Sequence, residues 1–210
     1  MLCSTLRLIL TLIGLGVACL LPGCASLGAD AVRVSGNTLP LQTLRSSRAD
    51  ITGFELEGRI SVRQGEKRHI VNLSWHHEAA QDQLLLTTPL GQGLAELTRD
   101  AQGAHLRLSD RRSFAAADPE ALAEQMFGIR LPLSVLSRWL VGQVPPAREP
   151  GQNDALGRPQ WRKIDGWRMR YEYADSENPA ADALPVLFEM QQNAEDIDVR
   201  LKIDQWQVMP

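Results

Sequence analysis

Cysteine is scarce in this 210-residue chain: there are three, Cys3, Cys19 and Cys24, all within the first 24 residues. The body that follows has no thiol pair and therefore no disulfide framework. Basic residues are not in excess either, since 22 Lys and Arg face 25 Asp and Glu, a formal charge of −3. Without a basic stripe interleaved with aromatics, nucleic acid is excluded as a partner. No second long apolar run follows the N-terminal one. Catalytic signatures are missing as well. Gly-x-Ser-x-Gly does not occur, which removes the hydrolase nucleophile elbow. Gly91-Gln92-Gly93 lacks the second half of either nucleotide-binding motif. Of the four histidines, His76 and His77 are adjacent and on a strand point to opposite faces, while His69 and His105 read as surface residues. None has a Glu or Cys at zinc-motif spacing. Glu55 and Glu57 share the polar face of a strand, where solvation is the simpler reading. The residues argue against an enzyme and imply no metal and no cofactor.

What is present begins at the N-terminus. Arg7 is the only charged residue before Asp30, and an apolar run from Leu8 to Leu21 ends in Leu21-Pro22-Gly23-Cys24. That run is too short for a membrane span of ~20 residues. Its order of charge, apolar core and small residue before a cysteine is similar to a bacterial lipoprotein signal peptide. Pro22 is less usual at its position, and Val17-Ala18-Cys19 is a weaker competing site. An ordinary secretory signal with a chance cysteine is the alternative. Cleavage makes residues 1–23 the signal peptide and leaves Cys24 as an acylated first residue, anchored in membrane lipid. Ala25 follows where an Asp commonly retains Gram-negative lipoproteins in the inner membrane, so the resemblance implies the outer membrane, with the domain facing the periplasm. Removing 23 residues leaves 187, with 21 basic and 25 acidic residues, within the range of one domain. Residues 24–38 are small and polar and read as a tether. Residues 39–210 read as a single binding domain.

Leu41, Leu44 and Arg48 suggest a short amphipathic helix, after which a two-residue period takes over. Phe54, Leu56, Ile60 and Val62 alternate with Glu55, Glu57, Arg59 and Ser61. Turns at Gln64–Lys67, Pro89–Gly91 and Asp100–Gly103 separate strands carrying Val71, Leu73 and Trp75, then residues 83–87, then 94–98, then Ala104, Leu106 and Leu108. Two helices interrupt this meander. The first has Asp118 as N-cap, Pro119 at the first helical position, a stripe of Leu122, Met126 and Phe127, and Gly128 as its stop. The second opens at Pro132 and places Leu133, Leu136, Trp139 and Leu140 on one face. A loop rich in Pro, Gly and Asn spans 143–159. Strands resume with Ile164, then Trp167, Met169, Tyr171 and Tyr173, then Val186, Phe188 and Met190. The last alternates Ile197, Val199, Leu201 and Ile203 with charged residues. Trp206 breaks its parity, which predicts a bulge near Gln205. The fold class is mostly β with helices (α+β): a curved antiparallel sheet covered on its apolar face by a small helical layer.

Five tryptophans stand beside two tyrosines and four phenylalanines. Such rings fill a core or line a pocket for an apolar ligand, and composition leaves both open. The Pro89-Leu90-Gly91 turn poses a similar question. Pro89 suits the second turn position and Gly91 the fourth, which leaves a leucine at a tip that normally faces water. From the turn alone, Leu90 is either exposed or folded back into the core.

The order of Phe54-Glu55-Leu56-Glu57-Gly58-Arg59-Ile60, Leu73-Ser74-Trp75, Leu86-Thr87-Thr88-Pro89-Leu90-Gly91, Leu131-Pro132, Trp139-Leu140-Val141-Gly142, Gly166-Trp167, Tyr171 and Lys202-Ile203-Asp204-Gln205-Trp206 resembles the LolB family of outer-membrane lipoprotein receptors. The resemblance implies an unclosed antiparallel β-barrel with a helical lid over a hydrophobic cavity. It also implies a monomer that takes acylated lipoproteins from the periplasmic carrier LolA and inserts them into the outer membrane without nucleotide. Pro89, Leu90 and Gly91 correspond to the family's protruding loop, whose leucine passes cargo into the bilayer. For the implied cavity, the inward-alternating residues Leu56, Ile60, Leu73, Trp75, Leu84, Leu86, Leu136, Trp139 and Met169 are the expected lining. Arg59 reads as solvated. The rival readings are a lipid-anchored scaffold with a filled core, an envelope hydrolase, and a lipid or glycolipid transfer protein on the same fold.

Overall fold

The period-two pattern becomes eleven strands of one antiparallel sheet. The computed structural model describes residues 48–128, 130–144, 150–175 and 180–209. Cys24, the tether, Leu41 and Leu44 lie outside the described residues. The strands are β1 (Gly53–Gln64), β2 (Lys67–Glu78), β3 (Gln81–Thr87), β4 (Gly93–Asp100), β5 (Gly103–Leu108), β6 (Ser113–Ala116), β7 (Gly151–Asn153), β8 (Pro159–Ile164), β9 (Trp167–Glu172), β10 (Leu187–Gln192) and β11 (Ile197–Met209). Their spatial order is β6-β5-β4-β3-β2-β1-β11-β10-β9-β8-β7. Two runs of neighbouring hairpins therefore meet at a seam where the first strand pairs with the last. The sheet ends at β6 and β7 and is not closed, as expected.

Register decides which residues share a face. Leu56 pairs with Trp75, Trp75 with Leu84, and Leu84 with Leu97. Beyond the seam, Ile60 pairs with Leu201, Leu201 with Phe188, and Phe188 with Tyr171. The inner face is thus apolar from β5 to β9. At the seam Glu57 sits opposite Gln205 but Gly58 opposite Ile203, so Asp204 is the extra residue of a bulge. This is the bulge that the parity of Trp206 predicts. Gly58 is required there, because a Cβ would collide with the Lys202 carbonyl oxygen.

The inner face is covered by α1 (Pro119–Phe127) and α2 (Leu133–Leu140). Asp118 caps α1 by accepting the Ala121 N–H at 2.7 Å, and Gly128 ends it in the left-handed conformation. Glu120 Oε1 accepts the Ser134 N–H at 2.7 Å and ties the starts of the two helices together. The Tyr171 hydroxyl donates to the Trp139 carbonyl at 3.1 Å and docks α2 on the sheet. Two dry clusters result. The larger joins Trp139 and Leu140 to Phe54, Leu56, Met169, Phe188 and Leu201. The smaller sets Leu122 against Ala104 and Leu106.

Three details depart from the sequence reading. β6 is an additional strand, hidden because Ser113-Phe114-Ala115-Ala116 is short and its alanines blur the alternation. β7 lies within the expected 143–159 loop and is three residues long. Arg48 is buried: its guanidinium donates to the Ala181 and Ala183 carbonyls at 3.1 and 3.3 Å. An arginine at the end of a short amphipathic pattern gives no sign of a partner more than 130 residues away.

Candidate functional site

The inner face is not covered evenly. Leu56, Leu73 and Trp75 are buried, whereas Ile60, Val62, Val71, Leu84, Leu86, Ala95 and Leu97 remain half-buried. In β4 every residue from Leu94 to Arg99 is half-buried. Helix α1 packs on β5 and β6, and α2 belongs to the larger cluster across the seam. The strands between these covers carry an apolar strip with surface to spare.

One end of the strip is closed by an inward-facing polar group. Asp82 is only 7% exposed. It accepts from His77 Nδ1 at 2.6 Å, Trp75 Nε1 at 2.9 Å and Arg99 Nε at 2.5 Å. Burial pushes its carboxyl up, but the hydrogen bonds from His77, Trp75 and Arg99 outweigh burial and hold it below the ordinary aspartate value. Phe54 meets Trp75 and Trp206 edge-to-face and His77 at a tilt, with centroids 5.0–5.3 Å away. With both carboxylate oxygens occupied, the group is a closed structural brace. The sequence reading missed it. The available signal is parity, because Asp82 falls on the same face of β3 as Leu84 and Leu86, where a lone charge needs a partner.

The other end leads into the β3–β4 turn. The Gly91 N–H donates to the Thr88 carbonyl at 2.8 Å, which makes Thr88-Pro89-Leu90-Gly91 a four-residue turn. Gly91 takes φ +82°, a conformation that few L-residues tolerate. The Thr88 N–H donates to the Gln92 carbonyl at 2.8 Å, and Asn72 Nδ2 donates to the Thr88 carbonyl at 3.1 Å, so the base of the turn is held on both sides. Leu90 projects from this rigid base and is 90% exposed. Pro89 and Gly91 are exposed beside it.

All nine residues expected to line a cavity lie in or against one apolar cluster. Leu56, Leu73, Trp75, Trp139 and Met169 are its buried members. Ile60, Leu84, Leu86 and Leu136 are half-buried and retain free apolar surface. Arg59 is exposed on the outer face. His76 also lies on that face, between Glu78 and Glu55 at 3.2 Å each, and these carboxylates hold its pKa above the ordinary value. Among the described residues, no group of three His, Cys, Asp or Glu side chains is placed to hold a metal ion.

Comparison with known proteins bears on this arrangement. Residues 52–206 match the family model described as "Outer membrane lipoprotein LolB". The outer-membrane lipoprotein LolB of Dechloromonas aromatica is 35% identical over 200 residues, covering 91% of this chain and 94% of that protein. Its namesake from Azoarcus sp. is 36% identical over 157 residues, covering 74% and 79%. That of Nitrosomonas europaea is 31% identical over 196 residues, covering 92% and 90%. A solved LolA superfamily protein from Nitrosomonas europaea overlays with a TM-score of 0.44 at 11% identity, covering 81% of this chain and 94% of that one, a likeness too loose to carry an inference. The family match spans the sheet from just before β1 into β11 and includes the strip and its exposed turn: the chain belongs to the LolB family.

Proposed function

We propose that this protein is an outer-membrane receptor that accepts acylated lipoproteins and inserts them into the membrane, working by binding and release without bond chemistry. The observation that carries the reading is a half-covered apolar strip leading to a leucine that is 90% exposed on a turn with a hydrogen-bonded base. The strip is the landing surface for acyl chains, with Ile60, Leu84, Leu86 and Leu136 as first contacts. The five buried residues form the wall behind them, reached when the helices move outward. Burying an acyl chain is worth ~0.8 kcal/mol per CH₂, on the order of 10 kcal/mol for a long chain. Such cargo crosses an aqueous space only inside a protein, here delivered by the periplasmic carrier LolA. Transfer needs no nucleotide when the receptor binds more tightly than the carrier and the bilayer more tightly still. Inserting Leu90 contributes ~1.5–3 kcal/mol at most, too little for an anchor but enough to orient the mouth of the strip. Anchoring falls to acylated Cys24, and the receptor acts as a monomer.

The test is lipoprotein transfer from loaded carrier into liposomes. Leu90→Glu is expected to accept cargo and fail to deliver it, and Leu86→Glu to fail at acceptance. Wild-type transfer by both variants would overturn the reading.

A further inference from the structure

The turn that presents Leu90 does not stand alone. In an antiparallel meander alternate hairpins turn at the same end, so the β1–β2 and β5–β6 tips flank the β3–β4 turn. Register sets their levels. Counting on from the Asn72–Thr87 pair, Val71 comes level with Thr88 and Ile70 with Pro89, where the chain turns back, and Arg68 lies further out along β2. On the other side, the Ser109 N–H donates to the Leu94 carbonyl at 2.9 Å, and the Arg111 N–H donates to the Leu108 carbonyl at 3.0 Å, which places Arg111 in the β5–β6 turn. The tip that carries Leu90 thus lies between the tips that carry Arg68 and Arg111. The three tips hold five cations (Arg63, Lys67, Arg68, Arg111, Arg112) and two anions (Glu66, Asp110), a surplus of three positive charges on a chain whose formal charge is −3. Arg112 is paired with Asp110 at 2.7 Å. Lys67, Arg68 and Arg111 are exposed, and their side chains make no ion pair among the described residues. Ile70 is 47% exposed on the outer face of β2 beside them.

The same end of the sheet beyond the seam is mixed in charge. Its turns carry Asp165, Glu195 and Asp196 beside Lys163 and Arg168, and Asp196 adjoins the β1–β2 tip, where Arg63 engages its carboxylate at 2.9 Å and the Gly65 N–H donates to its carbonyl at 3.1 Å.

We infer that Lys67, Arg68 and Arg111, with Ile70, form a docking footprint for an anionic phospholipid bilayer around Leu90. Cations at this level meet lipid phosphates while the leucine enters the acyl region. Each cation near an anionic surface strengthens docking about fivefold, and the effect falls off within a Debye length of ~8 Å at physiological salt. The inference rests on the receptor reading and adds the lipid class and the residues that meet it.

The test uses the acylated full chain reconstituted in vesicles, with an environment-sensitive fluorophore on Gln92→Cys and nitroxide-labelled lipid as quencher. Vesicles are phosphatidylcholine with or without phosphatidylglycerol. Stronger quenching is expected in the anionic vesicles, and the Lys67→Gln, Arg68→Gln, Arg111→Gln triple variant should lower the docked-to-undocked ratio there by roughly 100-fold. A triple variant of equal charge change further down the outer face, Arg59→Gln, Arg107→Gln, Lys202→Gln, should dock like wild type. Equal quenching in both vesicle types, or equal loss in both triple variants, overturns the footprint. If Leu90→Glu abolishes quenching in either vesicle while the rim variant has no effect, the insertion reading stands and this inference falls. A rim variant that docks normally but accepts cargo poorly from the carrier marks the rim as a protein-binding surface, which also overturns it. No quenching of the wild type in any vesicle would sink the insertion reading itself.

Discussion

Strands β9 and β4 have similar alternating sequences and different fates. From Trp167 to Glu172, β9 runs buried and exposed in strict turn. Ile197 to Ile203 in β11 nearly repeats this, with Asp198 half-buried. In β4 the alternation of Ala95 and Leu97 with Glu96 and Thr98 produces only half-burial on both faces. The difference lies above the sheet. The Trp139 and Leu140 side chains of α2 complete a dry cluster over the β9–β11 half, whereas β3 and β4 lie between that cover and the one supplied by α1. One half of the inner face is packed for stability. The other keeps apolar surface unspent, as a binding surface must.

Paired truncations test this contrast most strongly. Phe188→Ala in the packed half should cost ~3–5 kcal/mol, whereas Leu84→Ala in the strip should cost ~1 kcal/mol, because a half-exposed site loses less burial and leaves a smaller cavity. Urea denaturation measures both, and equal costs would erase the distinction between the halves.

Next in size is the brace at the closed end of the strip. Asp82→Asn leaves Arg99 without its counter-charge and should cost about 3 kcal/mol. The pH dependence has a definite sign. Asp82 titrates lower folded than unfolded, so its stabilisation is present above the unfolded carboxyl value, about 4, and is lost as pH falls through the folded value. Acid titration of stability should therefore be shallower in the variant. An unchanged slope would remove Asp82 from the acid response.

The smallest expected effect is at the seam. Gly58→Ala drives a Cβ into the Lys202 carbonyl, and the backbone shift should cost ~1–3 kcal/mol. Amide exchange should rise on both sides of the bulge, in β1 and β11, while β4 stays unchanged. Protection lost evenly over the whole sheet would mean that the two halves do not behave as separate units.

Several elements were legible because their causes are local. Asp118, Pro119 and Gly128 bound α1 as read, since caps act within a few bonds of the backbone they satisfy. Trp206 disclosed the bulge because one extra residue flips parity. Thr88, Pro89 and Gly91 placed the turn. Arg48 and the Asp82 brace were not legible in the same way, because their partners come from distant segments or across strands whose pairing must be known first. β6 and β7 were too short to show a period.

The sequence by itself determined which side chains share a face, where the chain turns, and the family to which it belongs, since these follow from a two-residue period, local backbone preference and motif order. Only the tertiary structure decided which inward residues are covered, which charge is braced, and that Leu90 stands clear of the core between two cationic tips. Burial is a property of what lies over a residue, and here that is set by helices and strands tens of residues away along the chain.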